Sequence, residues 1–291
     1  MNNLLKNFIL SPMNLLYKIS PKWELKILFF LKQRYFLNLD NPKTYNEKLQ
    51  WIKLYDHNSL MPKCCDKYAV RDVVRDLGCE EILNELYWAG EDPDDIPFEK
   101  LPSKYVIKVT HGSTFNIICT NKNELSRQDV VKKCRKWLKS KFLPCYGEWF
   151  YGVEKPRIIV EKYIESDDGE QLKDYKVFCF NGEPLYIRVD SDRFANHKDN
   201  IYTTDWCELK GKHMGHGYSG HEIDKPECLN KLLQYARKLS SPFLHARIDF
   251  YIVNCKIIFG EITFTNGAGF DRFSSYDFDL ELGEKLNLEE R

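Results

Sequence analysis

Apolar residues are spaced for helices in the first third of this chain and for strands over most of the rest. In the first 36 residues, Leu4, Leu5, Phe8, Ile9 and Leu10, then Leu15, Leu16 and Tyr17, then Ile27 to Leu31 form clusters separated by Lys6, Lys18, Lys22, Lys26 and Lys32. No run approaches the roughly 18 apolar residues of a membrane span, and no small-residue cleavage site follows, so neither a span nor a signal peptide is expected. Two uses of such helices stay open. They can cap the protein's own core, the ordinary fate of an amphipathic helix, or lie on an anionic membrane surface with their lysines among the headgroups. Beyond Pro42, Thr44-Tyr45-Asn46-Glu47 is a capping box, and Leu49, Ile52 and Tyr55 follow at helical spacing. A second helix is expected from about Asp66, with Tyr68, Val70, Val73 and Val74 apolar, ending at Leu77-Gly78.

The stretch Glu91-Asp92-Pro93-Asp94-Asp95-Ile96-Pro97, followed by Pro102, is acidic, broken by prolines and without periodicity. It marks a boundary at which the helical region ends. Beyond it the pattern predicts a strand at Tyr105 to Val109, an amphipathic helix from Arg127 to Lys141 and a strand from Arg157 to Tyr163. Asp174 to Phe180 and Pro184 to Val189 form a hairpin around Asn181-Gly182, a dipeptide suited to tight turns. A helix from about Glu227 to Leu239 leads into a last hairpin, His245 to Tyr251 and Ile257 to Thr263, around Asn254-Cys255-Lys256.

Composition narrows the function. With 291 residues, 43% of them hydrophobic, the chain can bury a core of enzyme size. Forty-three basic residues balance forty-three acidic ones, which argues against a general nucleic-acid binder. The ten cysteines include no C-x-x-C and read as reduced thiols of a cytosolic protein.

The last hairpin carries the most informative chemistry. Asp249 and Glu261 each sit in a mostly apolar strand, where a carboxylate is costly unless paired or bound to a cation. Oxygen donors without a Cys/His cluster suit Mg²⁺, which completes its shell with phosphate and water. In the bland alternative, Asp249 pairs with Arg247 on its own strand face and Glu261 is a solvated edge residue. Side chains alternate faces, and opposed residues of a regular antiparallel pair have numbers of constant sum. Two odd-numbered carboxylates on one face therefore require a three- or five-residue loop, or a bulge. Elsewhere, Lys108 closes a strand before the small-residue loop His111-Gly112-Ser113-Thr114, which can offer an ammonium and backbone NH groups to phosphates. Glu161-Lys162-Tyr163-Ile164 ends a strand that can present backbone groups to a base, before the polar Glu165-Ser166-Asp167-Asp168-Gly169. Asp174, Lys176 and Arg188 decorate the Asn-Gly hairpin, and the two cations can flank a phosphate or carboxylate. Each of these, taken alone, also reads as ordinary surface charge. His213-Met214-Gly215-His216-Gly217-Tyr218-Ser219-Gly220-His221 lacks the spacing of a zinc site and reads better as a loop near the active site.

The order of these features resembles an ATP-grasp enzyme, and more closely the TupA-like ATP-grasp family, named for teichuronopeptide biosynthesis. The residues carrying the resemblance are Thr44 to Trp51, Asp66-Lys67-Tyr68-Ala69-Val70-Arg71, Lys108 with His111-Gly112-Ser113, Asp174-Tyr175-Lys176-Val177 and Gly260-Glu261-Ile262-Thr263-Phe264. It implies an α+β fold with ATP held between two lobes, residues 96–160 and 161–291, preceded by a helical region, residues 1–95. It implies nucleotide contacts from Lys108, His111, Gly112, Ser113, Glu161, Lys162, Tyr163, Ile164 and Asp174. Lys176, Arg188 and Arg247 would meet phosphate or substrate carboxylate, and Asp249, Glu261 and Thr263 would hold Mg²⁺. The sequence departs from the pattern at Thr263, usually Asn in the superfamily, which brings in Asn266 as another ligand, and at Thr114, where a second glycine is common. The activity implied is a carboxylate-amine ligase acting through an acyl phosphate in bacterial surface-polysaccharide synthesis, amidating a uronic acid, in the cytoplasm or at the inner face of the membrane. Its partners would be a small-molecule or saccharide carboxylate and an amine, with membrane contact through the N-terminal helices and none with nucleic acid. A sugar-modifying transferase or kinase, and a non-catalytic nucleotide-binding subunit of an assembly complex, are the alternatives.

Overall fold

The capping box forms as the sequence predicts. Thr44 Oγ1 accepts from the backbone NH of Glu47 (3.2 Å), while the Glu47 carboxylate accepts from that of Thr44 (3.1 Å). The computed structural model describes residues 3–166, 172–191, 198–214 and 217–289, with side chains from residue 10 and without that of residue 191. The helical region comprises α1 (Asn3–Ile19), α2 (Pro21–Gln33), α3 (Tyr45–Tyr55), α4 (Met61–Cys65) and α5 (Val70–Asp76). The helix expected from Asp66 begins instead at Val70, because the Asp66 carboxylate accepts from the NH groups of Tyr68 and Ala69 (both 2.9 Å) and holds the intervening residues in a turn. Gly78, in the left-handed region at φ +68°, stands just past its end.

A four-stranded antiparallel sheet follows, formed by β1 (Leu86–Gly90), β2 (Tyr105–Val109), β3 (Asn116–Cys119) and, beyond α6 (Arg127–Leu138), β4 (Ile158–Lys162), in the order β1-β4-β2-β3. Strand β1 lies before the acidic boundary, in a stretch expected to be helical. Its residues pair with β4, 68 to 75 positions further along the chain, which no local periodicity reports. The apolar residues Tyr105, Ile107, Val109, Ile158 and Val160 pack against Val130 and Cys134 of α6.

The second sheet is built from β5 (Asp174–Phe180), β6 (Glu183–Ser191), β7 (Lys198–Thr203) and, after α7 (Leu229–Ser240), β8 (His245–Val253) and β9 (Lys256–Thr263). It is antiparallel in the order β7-β6-β5-β8-β9, and α8 (Tyr276–Glu284) closes the chain against α3. Alternation divides the sheet by chemistry. Val177, Cys179, Ile187, Val189, Ala246, Ile248 and Phe250 belong to the main core, with Leu232, Ala236 and Leu239 of α7. The opposite face carries the charged Asp174, Lys176, Arg188, Asp190, Arg247 and Asp249 together with the buried Phe178, Phe180 and Tyr186. The Asn181-Gly182 turn forms as expected, with φ +51° and +82°.

Candidate active site

Strand register collects the charged positions of the second sheet into one row. Arg188 of β6 is opposite Lys176 of β5, Lys176 is opposite Asp249 of β8, and Asp249 is opposite Glu261 of β9. Asp174, Asp190, Arg247 and Thr263 flank this row on the same face. Lys176 bridges Asp249 (3.0 Å), Asp190 (3.6 Å) and Asp174. Arg188 pairs with Asp190 (2.9 Å) and donates to the carbonyl of Met214 (2.8 Å). That contact ties part of the histidine-containing loop to the row; Gly215 and His216 of that loop, like Asp167, Asp168 and Gly169, lie outside the described residues.

The parity requirement on the last hairpin is met by a bulge. Val253 and Lys256 pair across a two-residue turn, Asn254-Cys255, with φ +49° and +55°. Continued regularly, this register would send Glu261 to the apolar face. Between Asp249 and Phe250 the register shifts, and Gly260 is the extra residue. A side chain there would bring a Cβ within 2.9 Å of the Asp249 carbonyl oxygen. Glycine therefore lets the two carboxylates share a face.

Between those carboxylates stands Arg247. Its Nε and Nη2 donate to the two oxygens of Asp249 (2.6 and 2.7 Å), and Nη2 also reaches Glu261 Oε1 and Thr263 Oγ1 (both 3.1 Å). The pairing of Asp249 with Arg247 read as the bland alternative is thus present, with Glu261 half exposed beside it. Burial by itself would raise the Asp249 carboxyl, but Arg247 and then Lys176 more than reverse this and hold it at about 2. Among the described residues, no three His, Cys, Asp or Glu side chains are grouped to hold a metal. The donor set of Asp249, Glu261 and Thr263 is nonetheless all oxygen, as Mg²⁺ requires. A guanidinium shared by both carboxylates marks a position where positive charge is stabilised, so these residues fit the ion chemically.

On the first sheet, Lys108 donates to Glu161 Oε2 (2.8 Å), while Arg71 of α5 donates to Glu161 Oε1 (3.1 Å). Glu161 thus anchors Lys108 rather than projecting freely. Lys162, next along β4, points to the other face and lies 3.6 Å from Glu85 in an exposed pair, so the two lysines do not converge. Tyr163 and Ile164 follow the strand end half-buried.

The small-residue loop and the acid end of β9 meet at a cavity of about 260 Å³, where His111, Gly112 and Ser113 form one wall and Arg247, Glu261 and Thr263 another. That volume lies just below the roughly 300–1,000 Å³ usual for ligand pockets. Lys108 does not line it. His111 Nε2 faces the Ser140 carbonyl (2.9 Å), which can only accept; that nitrogen therefore carries the proton.

Three further lining residues carry chemistry to which the sequence assigned no site role: Lys67, Glu148 and Tyr151. Lys67 lies in the turn shaped by Asp66, and its Nζ donates to the Gly112 carbonyl (2.5 Å). Burial lowers the pKa of its ammonium, while nearby Glu261 pulls it back up. Burial raises the Glu148 carboxyl, opposed by Lys53 and by the Thr265 hydroxyl, which donates to it (2.6 Å). Only Asp66-Lys67 carried a legible signal, as part of a motif read first as a helix start.

Helix α3 positions this site from behind. His245 Nδ1 donates to the Phe264 carbonyl (2.8 Å), so its Nε2 accepts from the Tyr45 hydroxyl (2.7 Å). Tyr45 accepts in turn from Asn266 Nδ2 (2.7 Å), leaving Asn266 Oδ1 to receive Arg247 Nη1 (3.2 Å). Burial lowers His245 to about 4, so the ring stays neutral at physiological pH. Gln50 and Lys53 donate to the carbonyls of Gly269 (2.6 Å) and Ala268 (2.8 Å), fixing the loop after β9.

The chain matches the family model described as TupA-like ATPgrasp over residues 47–287. It belongs to the TupA-like ATP-grasp family. The motif residues Asp66 to Arg71, Lys108, Asp174 to Val177 and Gly260 to Phe264 all fall within the matched span, and the two antiparallel sheets belong to an ATP-grasp fold of the α+β class. No curated protein matches the chain. Among solved structures, the L-amino acid ligase from Bacillus licheniformis is similar at 13% identity and a TM-score of 0.49, covering 87% of this chain and 57% of that one. The D-alanine–D-alanine ligase from Bacillus anthracis, in complex with ATP, is similar at 16% identity and a TM-score of 0.42, covering 69% of this chain and 53% of that one. The phosphoribosylamine–glycine ligase from Thermotoga maritima is similar at 11% identity and a TM-score of 0.47, covering 73% and 52%. This TupA-like chain thus spans about half the length of these solved relatives. At such low identity the likenesses assign it no activity.

Proposed function

We propose that this TupA-like protein is an ATP- and Mg²⁺-dependent carboxylate-amine ligase in bacterial surface-polysaccharide synthesis, with a uronic acid as the carboxylate. The observation that carries this reading is the shared cavity. A small-residue loop, Lys67, an arginine and a carboxylate line one cavity, a set of groups suited to screening a triphosphate from an anionic nucleophile. In this reading the nucleotide lies between the first sheet, β1 to β4, and the second, β5 to β9, its base against Glu161 to Ile164. Asp249, Glu261 and Thr263 would hold Mg²⁺, which supplies charge neutralisation at the phosphates. Lys67, Lys108, Lys176 and Arg188 bind or steady the phosphates and the loop, and Arg247 orients the substrate carboxylate. A carboxylate oxygen attacks the γ-phosphorus, and the bond to the β-phosphate oxygen breaks to release ADP. The amine nitrogen then attacks the acyl carbon, phosphate leaves, and the nitrogen loses a proton. Exclusion of water keeps the acyl phosphate from hydrolysis. The enzyme would work in the cytoplasm or at the inner face of the membrane.

The test is ADP release from ATP and Mg²⁺ across a panel of uronic acids and amino compounds, followed by product mass. The expected result is release that needs both a carboxylate and an amine, and a product lighter than their sum by one water. Release that needs only a sugar hydroxyl would make the protein a kinase instead.

A further inference from the structure

The first two helices bury one face and leave another open. Leu25, Leu28 and Phe29 of α2 pack with Leu37, Leu39 and Phe270. On the opposite side Trp23, Ile27, Phe30 and Leu31 recur at helical spacing and are 38–63% exposed. Phe36, 81% exposed, stacks on Phe30 with ring centroids 4.8 Å apart, and Leu15 and Ile19, one turn apart on α1, are exposed as well. These seven make up most of the large apolar side chains exposed among the described residues.

Charge is segregated in the same way. The first 36 residues hold six basic residues and one acid, in a chain that is neutral overall. That acid, Glu24, is fully buried on the inner face. Lys18 and Lys22 are exposed beside the apolar row, Lys22 in a loose surface pair with Asp40 at 3.6 Å, and Lys26 lies 5.4 Å from the Trp23 ring. No described helix is long and apolar enough to cross a membrane.

We propose that the outer face of α1 and α2 docks the protein on an anionic lipid bilayer. Tryptophan and phenylalanine settle at the boundary between headgroups and acyl chains, while lysines around them meet the lipid phosphates. Charge complementarity selects lipid over a second copy of this chain, since two such faces would oppose like charges. The inference stands apart from the ligase reading and needs no catalysis to test.

The full-length protein is sedimented with vesicles of phosphatidylcholine alone and of equal parts phosphatidylcholine and phosphatidylglycerol. Binding to the mixed vesicles alone, weakened by added salt and accompanied by a blue shift of tryptophan emission, is expected. Reversing Lys18, Lys22 and Lys26 to Glu should reduce partitioning by roughly a hundredfold or more, about fivefold for each lysine lost. Trp23→Ser with Phe30→Ser should abolish binding while circular dichroism stays unchanged. Equal binding to both vesicle types, retention by the lysine variant, or a concentration-dependent dimer that Trp23→Ser disperses would each overturn the proposal.

Discussion

Single residues here act mainly through whom they neutralise. Lys67 and Lys108 show the contrast: Lys67 lines the cavity beside Gly112, whereas Lys108 is held by Glu161 on the sheet behind it. A hydrogen bond to a charged group contributes about 1.5–3 kcal/mol, which corresponds to roughly a tenfold to hundredfold change in affinity. Lys67→Ala should weaken binding of an ATP analogue with Mg²⁺ by that factor, read by calorimetric titration. Lys108→Ala should do the same with the fold retained, because Arg71 still accompanies Glu161. Unchanged affinity in either variant removes that lysine from the nucleotide site. The loop that follows Lys108 has its own strain: Thr114 adopts φ +64°, unfavourable for a β-branched residue, at the position where a second glycine is common.

Among elements, the β8–β9 hairpin depends on one extra residue. Its two-residue turn alone would put Asp249 and Glu261 on opposite faces, and the Gly260 bulge reverses that. Gly260→Ala places a methyl group against the Asp249 backbone. Crowding of this kind costs about 1–3 kcal/mol. A lowered melting temperature together with lost ADP release is therefore expected, and a variant with wild-type stability and turnover would show the bulge to be dispensable. Helix α3 illustrates a different dependence. Its buried face mixes Tyr45, Leu49 and Ile52 with polar residues: Glu47 accepts from the backbone NH groups of Asn38, Lys43 and Thr44, Asn46 bonds Asp279, and Gln50 and Lys53 donate to the carbonyls of Gly269 and Ala268.

Across the whole molecule, a buried acid beneath α2 should set a pH dependence. Glu24 is fully buried, and neither carboxylate oxygen has a hydrogen-bond partner among the described residues. Burial pushes its carboxyl up to about 8, partly opposed by Lys53. The folded state then holds a proton that the unfolded state gives up near pH 4.5, so stability falls as pH rises from there to about 8. Burial pushes Lys53 down to about 7, against the pull of Glu148 and Glu24. Its contribution runs the other way, recovering stability from about 7 up to the ordinary lysine value of 10.5. Denaturant titrations at pH 5 and pH 8 should therefore show a less stable protein at pH 8. Glu24→Gln should remove most of that difference, on the order of 1–3 kcal/mol. Equal stability of the wild type at both values would mean that Glu24 is solvated or paired in solution.

What the sequence determined by itself was local. The capping box at Thr44, the Asn181-Gly182 turn and the alternation of β5, β6 and β8 follow from side-chain chemistry and backbone preference within a few residues. The motif order then sufficed for the family. Tertiary structure decided the rest, because it depended on pairings that neighbours along the chain do not encode. Strand β1 exists through β4; Lys67 meets Gly112 across 45 positions; His245 orients Asn266 through Tyr45, 200 positions away. Parity required either an odd loop or a bulge, but only packing could choose between them. The bulge satisfies both ends at once: a tight turn at Asn254-Cys255 and two carboxylates brought onto one cation, where a buried charge is least costly.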